Sequence, residues 1–194
     1  MRNKLGNFFM IAGALLVLAA VLLLYQNRRE AALADASAQE ILPRLAEQIT
    51  KDGEELPDPY DTAMKEVEID GNNYIGYLAI PALGLELPIM SEWNYERLKI
   101  APCRYYGTVK SGDLVIAAHN YERHFGNISK LEEGDEVYFT DMGGVVTRYA
   151  VVARDVLEPN AVEEMTAGNY SLTLFTCTYG GKSRVTVYCD MVKE

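Results

Sequence analysis

From Phe8 to Tyr25 the chain reads FFMIAGALLVLAAVLLLY, eighteen residues without a charge. At about 1.5 Å of rise per residue, a helix of that length nearly crosses a hydrocarbon core of about 30 Å. Signal-peptide apolar regions usually run about 7 to 15 residues. The stretch is therefore read as an uncleaved transmembrane anchor, although Ala34-Asp35-Ala36 would suit a signal peptidase. Residues 28–52 are rich in Ala, Glu, Gln and Leu, and Ala38, Leu42, Leu45 and Ile49 recur at helical spacing. They predict an amphipathic stalk, packed on the next domain or lying at the membrane surface, with a kink or restart at Pro43. Residues 53–72 are acidic, carry two prolines and read as a linker or loose lead-in.

At Tyr74 the pattern changes to short apolar runs split by turn residues. YIGYLAIP (74–81) and LELPIM (85–90) come first, then DLVIAA (113–118), EVYFT (136–140), VVTRYAVVARDV (145–156), SLTLFT (171–176) and RVTVYC (184–189). These runs favour Val, Ile, Tyr and Thr, the residues that fit a pleated surface. No long helix alternates with them, so the pattern predicts a closed or sandwiched all-β fold rather than a parallel βαβ sheet. Two short helices are expected, one at 92–99 and one starting near Asn160, where Glu163 completes a capping-box spacing. The expected organisation is a cytoplasmic tip and anchor at 1–27, a stalk and linker at 28–73, and a β domain at 74–194.

Length and charge narrow the function. With 194 residues there is room for one compact core plus appendages. The net charge is −10, and Arg2 and Lys4 are the only charges before residue 28, so the body is more acidic still. That argues against nucleic acid as a partner, because phosphate binding needs clustered Lys and Arg. Arg2 and Lys4 on one side of the span face Arg28 and Arg29 on the other, which leaves orientation balanced by charge alone. Cys103, Cys177 and Cys189 form no Cys-x-x-Cys pair and no metal-like spacing with His119 and His124, so no cofactor is expected, with calcium dependence left open.

Cys177 ends an apolar strand just before Tyr179-Gly180-Gly181 turns the chain. His119 ends the run LVIAA in the same manner, whereas His124 lies inside the following loop with no strand to fix it and is set aside as a catalyst. Arg184 opens the last strand, and if that strand pairs with 171–176 it lies beside Cys177. Taken singly, each residue has a bland explanation as packing or surface. Together they suit nucleophilic catalysis. A thiol attacks as thiolate, and a nearby imidazole or cation favours that form. The oxyanion that follows needs fixed donors, which a guanidinium presents as a rigid fork.

Thr173-Leu174-Phe175-Thr176-Cys177 matches the TLxTC signature of sortases, the membrane-anchored cysteine transpeptidases of Gram-positive bacteria. GYLAIPALGLELPIM (76–90), GDLVIAAHN (112–120), FGNISKLEEGDEVYF (125–139) and RVTVYC (184–189) resemble further family segments, in the family's order of His, Cys, Arg. The resemblance implies an eight-stranded sortase-type β-barrel with short helices, preceded by a transmembrane helix and stalk. By matched position it implies His119 as general acid/base, Cys177 as nucleophile, Arg184 as stabiliser and Thr176 as lining the substrate site. It implies cleavage after Thr in an LPxTG-like signal of an exported protein. The acyl group would pass to an amine of a cell-wall precursor or a pilin lysine, at the cell membrane, with a single span and the catalytic domain outside.

Two departures bear on subclass. No extended pilin-type lid is evident before residue 74, although 53–72 could cover the cleft, and residues 157–170 are short where one wall-anchoring class inserts a long helix. Some members of the family use calcium, and Glu132-Glu133 and Glu163-Glu164 fit such a site and solvated charge equally well; Cys103 and Cys189 read as free or buried. Two rival readings remain. An L,D-transpeptidase-like wall enzyme would need a Ser-x-Gly-Cys-x-Arg-like context that LFTCTYGG lacks. A membrane-tethered binding module without chemistry would make Cys177 packing and Arg184 surface.

Overall fold

The computed structural model describes residues 2–52 and 63–192. Helix α1 (Arg2–Asp52) is continuous through Pro43 rather than broken there. Pro43 and Gln39, whose carbonyl loses its usual partner, are both exposed, so water can satisfy the freed group. Toward its C-terminal end α1 buries Ala34, Ala38, Ile41 and Leu45. Leu42, expected on that face, is half-buried, and Ile41 takes its place.

The strands are β1 (Val67–Ile69), β2 (Asn72–Ile80), β3 (Leu85–Met90), β4 (Cys103–Tyr106), β5 (Leu114–Ala118), β6 (Glu136–Asp141), β7 (Val146–Leu157), β8 (Leu172–Cys177) and β9 (Arg184–Met191). All nine form one sheet in the order β1-β2-β3-β4-β5-β8-β9-β7-β6. A further pairing of β2 with β6, from Gly76↔Asp141 to Ala79↔Tyr138, closes β2–β9 into an eight-stranded barrel. Gly76 allows this closure. Its φ is +142°, and a Cβ there would sit 2.0 Å from the Thr140 carbonyl oxygen. β1 lies outside the closed ring, paired with the first residues of β2. The sheet therefore begins within the segment read as a linker, of which residues 53–62 lie outside the described residues.

Alternation along the strands divides two apolar clusters. Leu78, Ile116, Phe139, Leu174 and Val187 fill one, inside the barrel. Val115, Ala117 and Phe175, on the opposite faces of the same strands, join Ile41 and Leu45 of α1 in the other. That explains why LVIAA is apolar throughout: β5 is buried on both faces.

The short helices differ from expectation in their ends. Helix α2 covers only Tyr95–Leu98, because Asn94 caps it by accepting from the Arg97 N–H at 2.8 Å. Helix α3 (Val162–Thr166) starts after Ala161, with no side-chain cap. The capping box anticipated from Asn160 and Glu163 does not form; Val162 N–H donates instead to the Asn160 backbone carbonyl at 2.8 Å.

Candidate active site

β5 and β8 run parallel, with Ala118 opposite Thr176. One residue further along stand His119, just past the end of β5, and Cys177, the last residue of β8, beyond two strands spaced on the order of 5 Å apart. β8 and β9 run antiparallel, with Cys177 directly opposite Arg184. Residues opposite one another in a ladder project from the same face. The pairings thus bring His119, Cys177 and Arg184 to one end of three neighbouring strands. All three are half-buried.

The strand ends are held by local bonds. The Thr176 hydroxyl donates to the Ala118 carbonyl at 2.8 Å, tying β8 to β5 just before Cys177 and His119. After His119 the chain folds back on itself, with Phe125 N–H donating to the His119 carbonyl at 3.2 Å and Gly126 N–H to the Tyr121 carbonyl at 2.9 Å. Gly126 permits this approach, since a Cβ there would lie 2.6 Å from the Asn120 carbonyl oxygen and 2.7 Å from that of Tyr121. The turn between β8 and β9 closes through Thr178 N–H to the Ser183 carbonyl at 3.0 Å and Gly181 N–H to the Thr178 carbonyl at 2.8 Å. Arg184 Nη1 donates back into this turn, to the carbonyls of Gly181 and Ser183, each at 3.2 Å.

Cys177 opens on a depression of about 160 Å³, lined also by Asn120, Gly126, Thr176 and Tyr179. Through Ser129 and Val185 it adjoins a larger cavity of about 410 Å³ that contains Glu133, Arg154 and Asp155. On the outer face of the sheet, Phe175, two residues before Cys177, packs edge-on against Tyr105 with ring centroids 5.2 Å apart. Trp93 lies over Tyr105 at 5.2 Å. The strand end that carries the thiol thus combines an aromatic cluster with an open depression.

The other two thiols differ. Cys103 and Cys189 are free and fully buried, and burial pushes each up to about 12, which keeps them protonated and inert.

The two histidines separate just as clearly. His119 Nε2 is buried and makes no hydrogen bond. Burial lowers its pKa, Glu30 of α1 opposes that shift, and Lys99 adds to it. The ring packs against Tyr121 with centroids 4.8 Å apart, and the Tyr121 hydroxyl donates to Glu30 at 3.5 Å. His124 is fully buried, on the far side of Tyr121 at 5.6 Å, and neither ring nitrogen makes a well-formed hydrogen bond. Burial, then the His119 charge, lowers it to about 4, against weaker opposing contributions from Asp35 and the Ala34 backbone. The sequence places His124 in an unsupported loop; the fold makes it a core residue under α1.

The sortase-domain family model matches residues 78–192, more than half of the chain. The chain belongs to the sortase family. Members of this family are cysteine transpeptidases. Sortase A of Bacillus anthracis is 26% identical over 132 residues, covering 65% of this chain; the match spans 62% of that relative's own length. Among solved structures, sortase C of Clostridium perfringens SM101 superposes with a TM-score of 0.56 at 24% identity, covering 80% of this chain and 91% of that one. Sortase C of Streptococcus pneumoniae gives 0.59 at 21%, covering 80% and 97%. These structures share the fold. Within this sortase barrel, Glu30, Tyr121 and the Trp93–Tyr105 pair were not singled out by sequence as parts of the site. Glu30 and Tyr121 are 91 positions apart and share no local period; nearness to His119 was the one available signal for Tyr121.

Proposed function

We propose that this sortase is a membrane-anchored transpeptidase in which Cys177 is the nucleophile, His119 the general acid/base and Arg184 the oxyanion clamp. The observation that carries the reading is the pairing itself. The parallel β5–β8 register and the Cys177↔Arg184 pair converge three residues that are far apart in sequence. The Cys177 proton passes to His119, and the sulfur attacks the threonyl carbonyl of an LPxTG-like sorting signal. The amide C–N bond then breaks, the leaving amine takes the proton from His119, and a thioester remains on Cys177. An acceptor amine attacks that thioester and gives up its proton through His119, forming a new amide and regenerating the thiol. Thr176 lines the substrate site and braces the two strands.

Arg184 turns its guanidinium toward its own hairpin in the free protein and swings onto the oxyanion when substrate is bound. Such tightening on substrate binding is common for catalytic groups. The substrates are exported proteins that bear sorting signals, and the catalytic domain lies outside a single span formed by residues 8–25, which are uncharged and none of them buried on α1. Two acceptor classes are to be compared: wall-precursor amines and pilin lysines. The second is favoured by the Group B Streptococcus sortase C described as pilus-related, and by the Streptococcus pneumoniae enzyme described with pilin substrate specificity.

The test is to incubate a soluble form beginning at Arg28 with a peptide library and to look for a thioacyl adduct by mass spectrometry. The adduct is expected on Cys177 and absent from Cys177→Ala. Arg184→Lys is expected to lose at least tenfold in acylation rate, because an ammonium cannot reproduce the planar fork. Adding candidate amines then identifies the acceptor. If a thiol reagent modifies Cys177 no faster than the buried Cys103 and Cys189, and no adduct forms, the non-catalytic binding module is correct instead.

A further inference from the structure

Helix α1 runs without interruption from the apolar segment into the barrel, so it fixes how the barrel stands relative to any membrane the segment enters. Its contacts are ordered along its length. Glu30 meets Tyr121, the backbone at Ala34 lies by His124, Arg44 pairs with Asp70, and Ile49 packs over Gly144. Tyr121 and His124 belong to the loop that leaves β5 at His119. Asp70 and Gly144 lie at the opposite end, in the β1–β2 and β6–β7 turns. Between Glu30 and Ile49 the helix rises about 28 Å. The catalytic end of the barrel is therefore the end nearer the apolar segment, and the far turns are the height of the domain away.

From Tyr25, the last residue of the apolar run, to Glu30 the rise is about 7 Å. One headgroup layer is about 5 to 8 Å thick. Arg28 and Arg29 fall within that layer, and Tyr121 stands at its outer boundary. The loops at this end carry further groups suited to an interface. Arg123 and Lys182 are exposed, Glu122 is the acid beside Arg123, and Tyr179 at the tip of the β8–β9 turn is 89% exposed. Tyr, Lys and Arg are the side chains that anchor at phosphates and the acyl boundary.

We propose that the catalytic end of the barrel docks on the phospholipid headgroup surface, held there by α1, so that Cys177 acts on bonds presented at the membrane face. The partner is the bilayer itself, and the docking surface is the rim formed by Arg28, Arg29, Arg123, Tyr179 and Lys182. This inference rests on the anchor in the proposed function but not on its chemistry. A soluble substrate must enter a narrow space beside the membrane, whereas one already tethered in the bilayer arrives at the right height.

The test uses the full chain with Cys177→Ala, which leaves only buried native thiols. A single reporter cysteine is placed at the catalytic end (Lys182→Cys) or at the opposite end (Val145→Cys, 52% exposed in the native chain) and labelled with a fluorophore. The protein is reconstituted in vesicles of phosphatidylcholine and phosphatidylglycerol that contain a headgroup spin-labelled lipid quencher. The label at 182 is expected to lose most of its emission and that at 145 to keep it. Inserting seven helical residues between Asn27 and Arg28 lifts the barrel by about 10 Å with nearly the same facing. That variant is expected to relieve quenching at 182. Equal quenching at both positions, or no relief on insertion, overturns the docking while leaving the transpeptidase reading intact. Extraction of the chain by alkaline carbonate overturns the anchor and the docking together, and the thioacyl assay on the soluble form still decides the chemistry.

Discussion

His119 is held between opposing influences, and each names a substitution. Burial and Lys99 favour the neutral imidazole, while Glu30 favours the imidazolium. Glu30→Gln removes the one favourable charge, so the His119 pKa is expected to fall further. With only two histidines in the chain, imidazole NMR titration reads this directly. The limb of the kcat/KM profile that follows imidazole protonation is expected to move to lower pH with it.

His124 predicts stability rather than rate. Its folded value of about 4 lies below the unfolded value of 6.5. As pH falls through that window the unfolded chain takes up a proton that the folded chain refuses. Stability is therefore full above about 6.5 and declines down to about 4, by on the order of 3 kcal/mol. His124→Gln is expected to flatten that part of the decline, measured as the difference in urea unfolding free energy of the soluble form between pH 7 and pH 4. If the two proteins lose stability in parallel, His124 is not buried as described.

At the scale of elements, the site depends on strands ending in register and on a loop folding tightly over them. Gly126→Ala puts a methyl group within 2.6 to 2.7 Å of two backbone carbonyl oxygens, which neither can easily vacate. The loop carrying His119 must shift, at a cost of about 1–3 kcal/mol. A displacement of that kind also misplaces the imidazole, so acylation is expected to fall by at least tenfold while Cys177 remains open to thiol reagents. Unchanged acylation would show that the loop does not set the imidazole position. Most strands were visible in the sequence because seven of them alternate or run apolar over at least five residues. β4 was not, because it is four residues long, contains Arg104 and lies between Pro102 and Gly107. β1 was not, because Val67-Glu68-Ile69 is three residues in an acidic stretch and forms by pairing with β2 rather than by its own pattern.

For the whole molecule, α1 is a candidate membrane span and also a cover for the barrel. Ile41 and Leu45 complete the cluster on the outer face of the barrel, and burying two such side chains contributes roughly 3–6 kcal/mol. A domain stability of about 5–15 kcal/mol leaves little once that is lost. A form beginning at Ala63 is therefore expected to unfold at markedly lower urea than one beginning at Arg28, and to bind a hydrophobic dye. Equal midpoints would mean that α1 does not cover the barrel in solution.

What this sequence determines by itself is whatever local spacing can express. The eighteen-residue uncharged run, the periods of the strands, the acidic surface, and the ordered His, Cys and Arg motifs that mark the sortase family are all of that kind. Which groups actually meet is decided by pairings between segments distant in the chain. The register of β5 on β8 sets His119 beside Cys177, and the docking of α1 brings Glu30 to Tyr121 and encloses His124. A residue's own neighbours in sequence carry its preference for helix or strand, but its burial, its partners and hence its charge state depend on surfaces contributed from elsewhere, and only the folded chain assembles those.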